Sequence, residues 1–321
     1  MWNKKYLLSI CIPTYNREKH LEILLDSIVK QKAFSDRIEI YIYDDPSTDN
    51  TQIMVQEYIK KYKNIHYHRN TTRLGMMPSI LDSILHCSWE YIWLFGSDDI
   101  MWPFSISTML SLIEKEKPDL ILSNFWRRAE HVDYTNDKLV YKMYDDIEDF
   151  CNNFSKQKAE YSHPIATDRY NSYFSYMSIY CFRNDVFKKM HDLVLVRKGE
   201  KYLLKHYFNY IYILLWNNKI KNICLCSSPI LTYNKSWGTN WWKFEFKIVK
   251  DAKSIFDTIS KYNNISYETK RFFRRMVRLW YWWYIGSKIS NSYLISFLKK
   301  KCGPVYTKLY NLYILFLEKI L

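Results

Sequence analysis

Short apolar runs recur along the first part of the chain, at residues 7–13, 38–43, 64–68, 91–95 and 119–123, each roughly 25 to 30 residues after the last. Runs of this length, bounded by polar turns and spaced to leave room for a helix, predict strands in a β-α-β rhythm. Between the first two, Leu21, Leu24, Leu25, Ile28 and Val29 keep the i, i+3, i+4, i+7, i+8 spacing of one helix face. Residues 51–61, with Ile53, Tyr58 and Ile59, and residues 78–87, with Ile80, Leu81, Ile84 and Leu85 behind a helix-compatible Pro78, predict two more helices. The expected fold class is α/β, a mainly parallel sheet flanked by helices. In such sheets ligands bind beyond the carboxyl ends of the strands, so the residues just after each run are the ones to read for chemistry.

After Phe125 the pattern loosens. An acidic, polar stretch at 133–149 reads as an insertion or loop over the site, residues 176–182 as a strand, 185–191 as a short helix and 201–216 as a buried Tyr/Leu-rich helix. Three segments result: 1–125 carrying the strand-end chemistry, 126–240 as a second half completing the site, and a C-terminal 241–321. With 48% hydrophobic and 25% charged residues the chain is globular, and 6 Gly and 8 Pro leave little room for linkers. The longest apolar runs, 207–216 and 309–317, fall short of the ~18 residues of a spanning helix. The first apolar run is too short for a signal peptide. Seven cysteines without metal-type spacing read as structural thiols in a reducing compartment. The expected location is therefore the cytoplasm.

The net charge of +14 is unevenly spread: residues 241–321 hold 16 Lys and Arg against 5 Asp and Glu. That asymmetry calls for an anionic partner at the C-terminal end. On a helix over 270–284, Arg271, Arg274, Arg275 and Arg278 fall in one arc, with Phe272, Phe273, Met276, Val277, Trp280, Trp283 and Tyr284 opposite. Such a helix suits the bilayer interface, where Arg meets phosphate and Trp sits at headgroup depth, and it also suits packing on the rest of the chain with its arginines in water. The expectation is peripheral contact with an anionic membrane. A nucleic-acid partner is not expected, since no reader motif accompanies the basic charge.

Three polar sets follow the strands: Thr14-Tyr15-Asn16 after the first, Asp44-Asp45 after the second and Ser97-Asp98-Asp99 after the fourth. Two carboxylates at a strand end can hold a hard divalent cation against a pyrophosphate, and Gly-Ser-Asp-Asp is also ordinary turn composition. A carboxylate at Asp44 or Asp45 can accept from a pyrimidine base, or can serve the turn while Ser47, Thr48 or Asp49 caps the next helix. Arg69 or Arg73 suits phosphate contact. His66 and His68 alternate on one strand face and read as structural.

Together these residues resemble the family-two glycosyltransferases of the GT-A fold, over roughly residues 6 to 125. The likeness is carried by Ile10-Cys11-Ile12-Pro13-Thr14-Tyr15-Asn16-Arg17, by Ile42-Tyr43-Asp44-Asp45-Pro46-Ser47-Thr48-Asp49, by Arg69-Asn70 with Leu74-Gly75, and by Trp93-Leu94-Phe95-Gly96-Ser97-Asp98-Asp99. The resemblance implies that Pro13, Thr14, Tyr15 and Asp44 hold the base and Asp98 the ribose or the metal shell. It makes Asp99 the ligand of Mn2+ or Mg2+, with Arg73 at the donor phosphates. Ser97 stands where many members carry a third acidic residue, and Pro46 replaces the usual Gly. The implied reaction is inverting transfer from a nucleoside-diphosphate sugar to a glycan acceptor, lipid-linked, in surface polysaccharide or glycoconjugate synthesis. Its general base would be Glu200 or His206, which also suit a helix N-terminal charge and an ordinary imidazole. Residues 176–183, the 201–216 helix and Pro229-Ile230-Leu231 with Asn234 are similar to the acceptor half of abequosyltransferase-like members. A nucleotidyltransferase would carry a Gly-rich basic loop after the first strand, which Thr14-Tyr15-Asn16 is not. A non-catalytic nucleotide-binding protein would differ by showing no turnover.

Overall fold

The computed structural model describes residues 7–126, 139–154, 177–188, 220–232 and Tyr267. The expected strands form as β1 (Leu8–Thr14), β2 (Ile38–Asp44), β3 (Ile65–Arg69) and β4 (Tyr91–Leu94), then a two-residue β5 (Ile100–Met101) and β6 (Leu120–Trp126). Helices α1 (Glu18–Val29), α2 (Thr51–Lys61), α3 (Met76–His86) and α4 (Ser105–Glu116) alternate with them. Further along lie β7 (Tyr141–Asp146), α5 (Ile147–Phe154), a 3-10 turn (Met177–Ile179), β8 (Tyr180–Arg183) and β9 (Lys221–Thr232). Among the described residues all nine strands join one sheet in the order β3-β2-β1-β4-β8-β6-β9-β5, with β7 paired to β9. β1 to β4 are mutually parallel, β8 runs against both β4 and β6, and β6 and β9 are parallel. β5 and β7 run against β9. Most strands thus point one way, as expected.

The sheet is covered on both sides at β1 and β2. Leu8, Ile10, Ile12, Ile38, Ile40 and Ile42 share one core with Leu21, Leu24, Leu25 and Ile28 of α1, Val55 of α2 and Ile106, Met109 and Ile113 of α4. Each such fully buried aliphatic contributes about 1.5–3 kcal/mol. The alternate positions meet α3: Cys11 donates to Ser83 across 3.2 Å, and the Tyr43 hydroxyl donates to Asp82. Burial of both faces is why β1 is mostly apolar along its length, with Ser9 bonded to Glu39. His66 and His68 have structural surroundings, His66 being 3.9 Å from the buried Glu39 and His68 stacked on Tyr43 at 4.9 Å between ring centroids. Burial pushes the carboxyl of Glu39 up.

The stretch read as a loop at 133–149 is partly regular structure. β7 pairs with β9, burying Tyr144, and α5 follows without a break. The acidic residues that suggested a loop are the helix start: Asp146 Oδ1 accepts the backbone N–H groups of Glu148 and Asp149, each at 3.0 Å. Behind this cap Phe150 meets Tyr144 edge to face at 5.1 Å.

The described cysteines Cys11, Cys87, Cys181, Cys224 and Cys226 are buried and reduced. Burial pushes the Cys226 thiol up to about 12, so it behaves as a small apolar side chain. Among the described residues no helix is long and apolar enough to cross a membrane. The helices expected at 201–216 and 270–284 lie outside the described residues.

Candidate functional site

β1 places the other strand ends. Thr14 pairs with Asp44 on one side, and Cys11 with Leu94 on the other. β2 and β4 therefore flank β1, the two strands lying two strand spacings or about 10 Å apart across the sheet, with β4 ending three residues before β2 along β1. Asp44-Asp45 and Asp98-Asp99 open onto the same edge of the sheet, with Thr14-Tyr15 between them.

The loop after β1 is stitched to the loop after β2. Asn16 adopts a left-handed φ of 51°, which asparagine tolerates better than most residues. From there its backbone N–H donates to Ser47 Oγ at 2.9 Å, while its own Oδ1 accepts the Thr48 N–H at 2.7 Å. Asp44 is completely buried and organises this turn. Its Oδ1 accepts from the N–H of Ser47 at 3.0 Å and from the Ser47 hydroxyl, and its Oδ2 accepts from Tyr67 at 2.6 Å. Arg69 Nε stands 3.5 Å from the same Oδ2 and its Nη2 donates to the Ser47 carbonyl at 2.8 Å. Burial, then the bond to Asp44, pushes the Tyr67 phenol far up, so it remains a donor. These side-chain bonds close the turn that contains Pro46.

Asp45, also buried, takes the N–H of Leu74 at 2.6 Å and of Gly75 at 2.9 Å, one on each oxygen. Gly75 has a φ of 88°, a conformation other residues rarely adopt. Asp45 thereby holds the segment that precedes α3, and that segment carries Arg73, whose guanidinium lies 4.0 Å over the Tyr15 ring. Thr14 is buried with no hydrogen-bond partner for its Oγ1, and Pro13 is half-buried.

At the end of β4 the chain turns at Gly96 and runs into β5, whose Ile100 and Met101 pair with Thr232 and Leu231 of β9. Asp99 is buried and accepts from the Ser178 hydroxyl; Asp98 is partly exposed, 3.8 Å from Arg17 Nη2. A Cβ placed on Gly96 would stand 2.8 Å from Asp99 Oδ2 and 3.4 Å from Asp98 Oδ1, so both carboxylates border one small cradle that only glycine leaves open. Two aspartate oxygens beside diphosphate oxygens and water make a donor set that Mg2+ or Mn2+ accepts. Among the described residues no cluster of three acidic, histidine or cysteine side chains forms.

Pro13, Thr14, Tyr15, Asp44, Arg73, Asp98 and Asp99 thus gather at one edge. Glu200 and His206 lie outside the described residues. Reading the sequence missed the parts played by Arg17, Asp45, Tyr67 and Ser178. Asp45 carried a signal as the second of an acidic pair; Ser178 carried only that of a polar residue inside an apolar run.

The profile of Glycosyl transferase family 2 matches residues 9–190. Abequosyltransferase RfbV of Salmonella typhimurium is 40% identical over 111 residues, 34% of this chain and 33% of that protein. A poly(ribitol-phosphate) beta-glucosyltransferase of Bacillus spizizenii is 28% identical over 150 residues, 42% of this chain and 24% of that protein. The matched stretch spans about a third of the first relative's length and about a quarter of the second's. Among solved structures, Staphylococcus aureus TarS 1–349 in complex with UDP-GlcNAc superposes with a TM-score of 0.57 at 16% identity, covering 89% of this chain and 73% of that one. The mannosyltransferase PcManGT of Pyrobaculum calidifontis, in complex with GDP-Man and Mn2+, gives 0.56 at 12% identity, covering 97% and 84%. At these identities the likeness establishes the fold, which is of the GT-A type.

Proposed function

Since this chain belongs to Glycosyl transferase family 2, we propose that it moves a sugar from a nucleoside-diphosphate sugar to a glycan acceptor, with inversion at the anomeric carbon. The observation that carries this reading is the gathering of Asp44, Asp98 and Asp99 beside Thr14 and Tyr15 at one sheet edge. In this reading Pro13, Thr14 and Tyr15 line the base, and Asp44 accepts from it. Because Asp44 is enclosed, a base N–H reaches its carboxylate by displacing one of the donors already on it, the Ser47 hydroxyl or the Tyr67 phenol. Arg73 leaves the Tyr15 face for the diphosphate, and Arg17, 3.8 Å from Asp98 Oδ2, helps orient that carboxylate toward the ribose. Asp99, with Asp98 beside it, would hold Mn2+ or Mg2+, which stabilises charge on the departing diphosphate. The acceptor hydroxyl attacks in line and gives its proton to a base from residues 126–240, Glu200 or His206 being the candidates.

The test is a thermal-shift titration of UDP, GDP, CDP and TDP with and without Mn2+, then transfer assays with the matching sugar donors. One nucleotide with Mn2+ should stabilise the fold by about 2.7 kcal/mol at a hundredfold excess over its Kd. If none of the four shifts the melt, the donor site does not exist.

The acceptor in this proposal is lipid-linked, and residues 241–321 hold the protein peripherally on the inner face of the cytoplasmic membrane. The basis is the charge asymmetry and the arginine arc. The full chain should pellet with vesicles containing anionic lipid. A variant carrying Arg271→Glu, Arg274→Glu, Arg275→Glu and Arg278→Glu should lose several kcal/mol of that affinity, at about 1 kcal/mol per cation. Equal pelleting of parent and variant would refute the membrane contact.

A further inference from the structure

We infer that Ser178 is a positioning residue of the cation site, holding the Asp99 carboxylate in the orientation a divalent ion requires. The inference rests on the donor-site reading above. Ser178 sits in the 3-10 turn that enters β8, 79 residues away from Asp99 in sequence, and is buried. Its Oγ lies between the backbone N–H of Gly96, 2.8 Å away, and Asp99 Oδ2. A hydroxyl has one proton and two lone pairs. The Gly96 amide can only donate, so Ser178 accepts there, and the hydroxyl proton is directed to Asp99 Oδ2.

Ser178 is itself fixed from the neighbouring strand. Its carbonyl accepts the indole N–H of Trp93 at 2.8 Å, and Trp93 lies wholly inside the core. Gly96 makes the arrangement possible, because a Cβ there would stand 3.2 Å from Ser178 Oγ and closer still to Asp99 Oδ2. The chain of contacts runs from Trp93 to Ser178 to Asp99, every member buried. A buried serine could satisfy its proton on any nearby carbonyl; here it goes to the carboxylate that borders the cradle. Such a bond to an ionised acceptor is stronger than a neutral one and removes rotamer freedom that the cation would otherwise have to restrict. It also ties the cation site to β8, which lies in the second half of the chain.

The experiment measures Mn2+ affinity by loss of the free-ion EPR signal, using the full chain with whichever of UDP, GDP, CDP and TDP gives the largest thermal shift. Nucleotide affinity in EDTA is measured in parallel. Ser178→Ala should weaken Mn2+ binding about 10-fold and leave nucleotide affinity in EDTA unchanged. Asp99→Asn serves as the reference. If Asp99→Asn loses Mn2+ but Ser178→Ala does not, this inference is wrong and the donor site stands. If Asp99→Asn keeps Mn2+, the donor-site reading fails and takes this inference with it. Equal loss of nucleotide with and without Mn2+ would show a merely structural serine and overturn the inference. Should Ser178→Ala not fold, Ser178→Cys has nearly the same size with a far weaker donor and is judged by the same outcomes.

Discussion

A chain carrying Asp99→Asn should transfer sugar about 1,000-fold more slowly than the parent while melting within a few degrees of it. The two halves of that expectation have different causes. Asparagine is close to aspartate in shape, and its carbonyl oxygen still accepts from Ser178, so that buried bond survives the substitution. Loss of one such bond's charge costs about 1 kcal/mol of stability at most. On the donor-site proposal, what disappears is a negative oxygen beside the Gly96 cradle, and with it the charge that would hold a cation against the leaving diphosphate. Initial rates at saturating donor, read beside the melting curve, check both halves. Retention of more than about a tenth of the parental rate would mean that the cation is held elsewhere or that transfer does not need it.

The difference between what the sequence showed and what it hid follows the range of the interactions. β1, β2 and β4 were legible because both faces of those strands are covered, which makes them mostly apolar, as in Ile38–Tyr43 with Glu39 its one charged residue. The half-exposed edge strand β3 was legible from its place in the β-α-β rhythm. The helix before β4 begins at Met76, not at Pro78 as its composition suggested. Pro78 still falls in the first turn, where its missing N–H has no intrahelical partner to lose. β7 was hidden because Asp145, Asp146, Glu148 and Asp149 look like a solvated loop until their capping role is seen. β9 was hidden by Ser227-Ser228-Pro229, which interrupt its apolar pattern where its pairing with β6 shifts register. The site behaves in the same way. Acidic pairs directly after strands announce an edge, so Asp44, Asp98 and Asp99 could be found. The division of labour within a pair depends on distant partners: Asp45 is set by backbone groups of Leu74 and Gly75, and Asp99 by Ser178. No local pattern encodes those contacts.

Asp44→Ala should cost about 3 kcal/mol of stability and abolish nucleotide binding, and neither result alone says what Asp44 does. Removing this enclosed carboxylate strands the Tyr67 hydroxyl and the N–H and hydroxyl of Ser47, and takes the counter-charge from Arg69. The loop that carries Tyr15 would loosen with it, since Ser47 also receives the Asn16 N–H. Two milder substitutions separate frame from ligand. Tyr67→Phe deletes one donor and leaves the carboxylate with a lone pair to offer. Asp44→Asn keeps an oxygen for Ser47 but puts an amide where a base N–H would need an acceptor. If Asp44 touches the base, Asp44→Asn should lower nucleotide affinity at least about 10-fold, one charged hydrogen bond's worth. Tyr67→Phe should then leave that affinity equal or higher despite its own cost in stability. If Asp44 only frames the turn, affinity should follow melting temperature in both variants, with Tyr67→Phe falling as Asp44→Asn falls. Calorimetric titration of the two chains, set against their melts, decides between these outcomes. The decision matters for the donor as well, because a framing Asp44 would leave the buried, unpartnered hydroxyl of Thr14 as the polar group nearest the base.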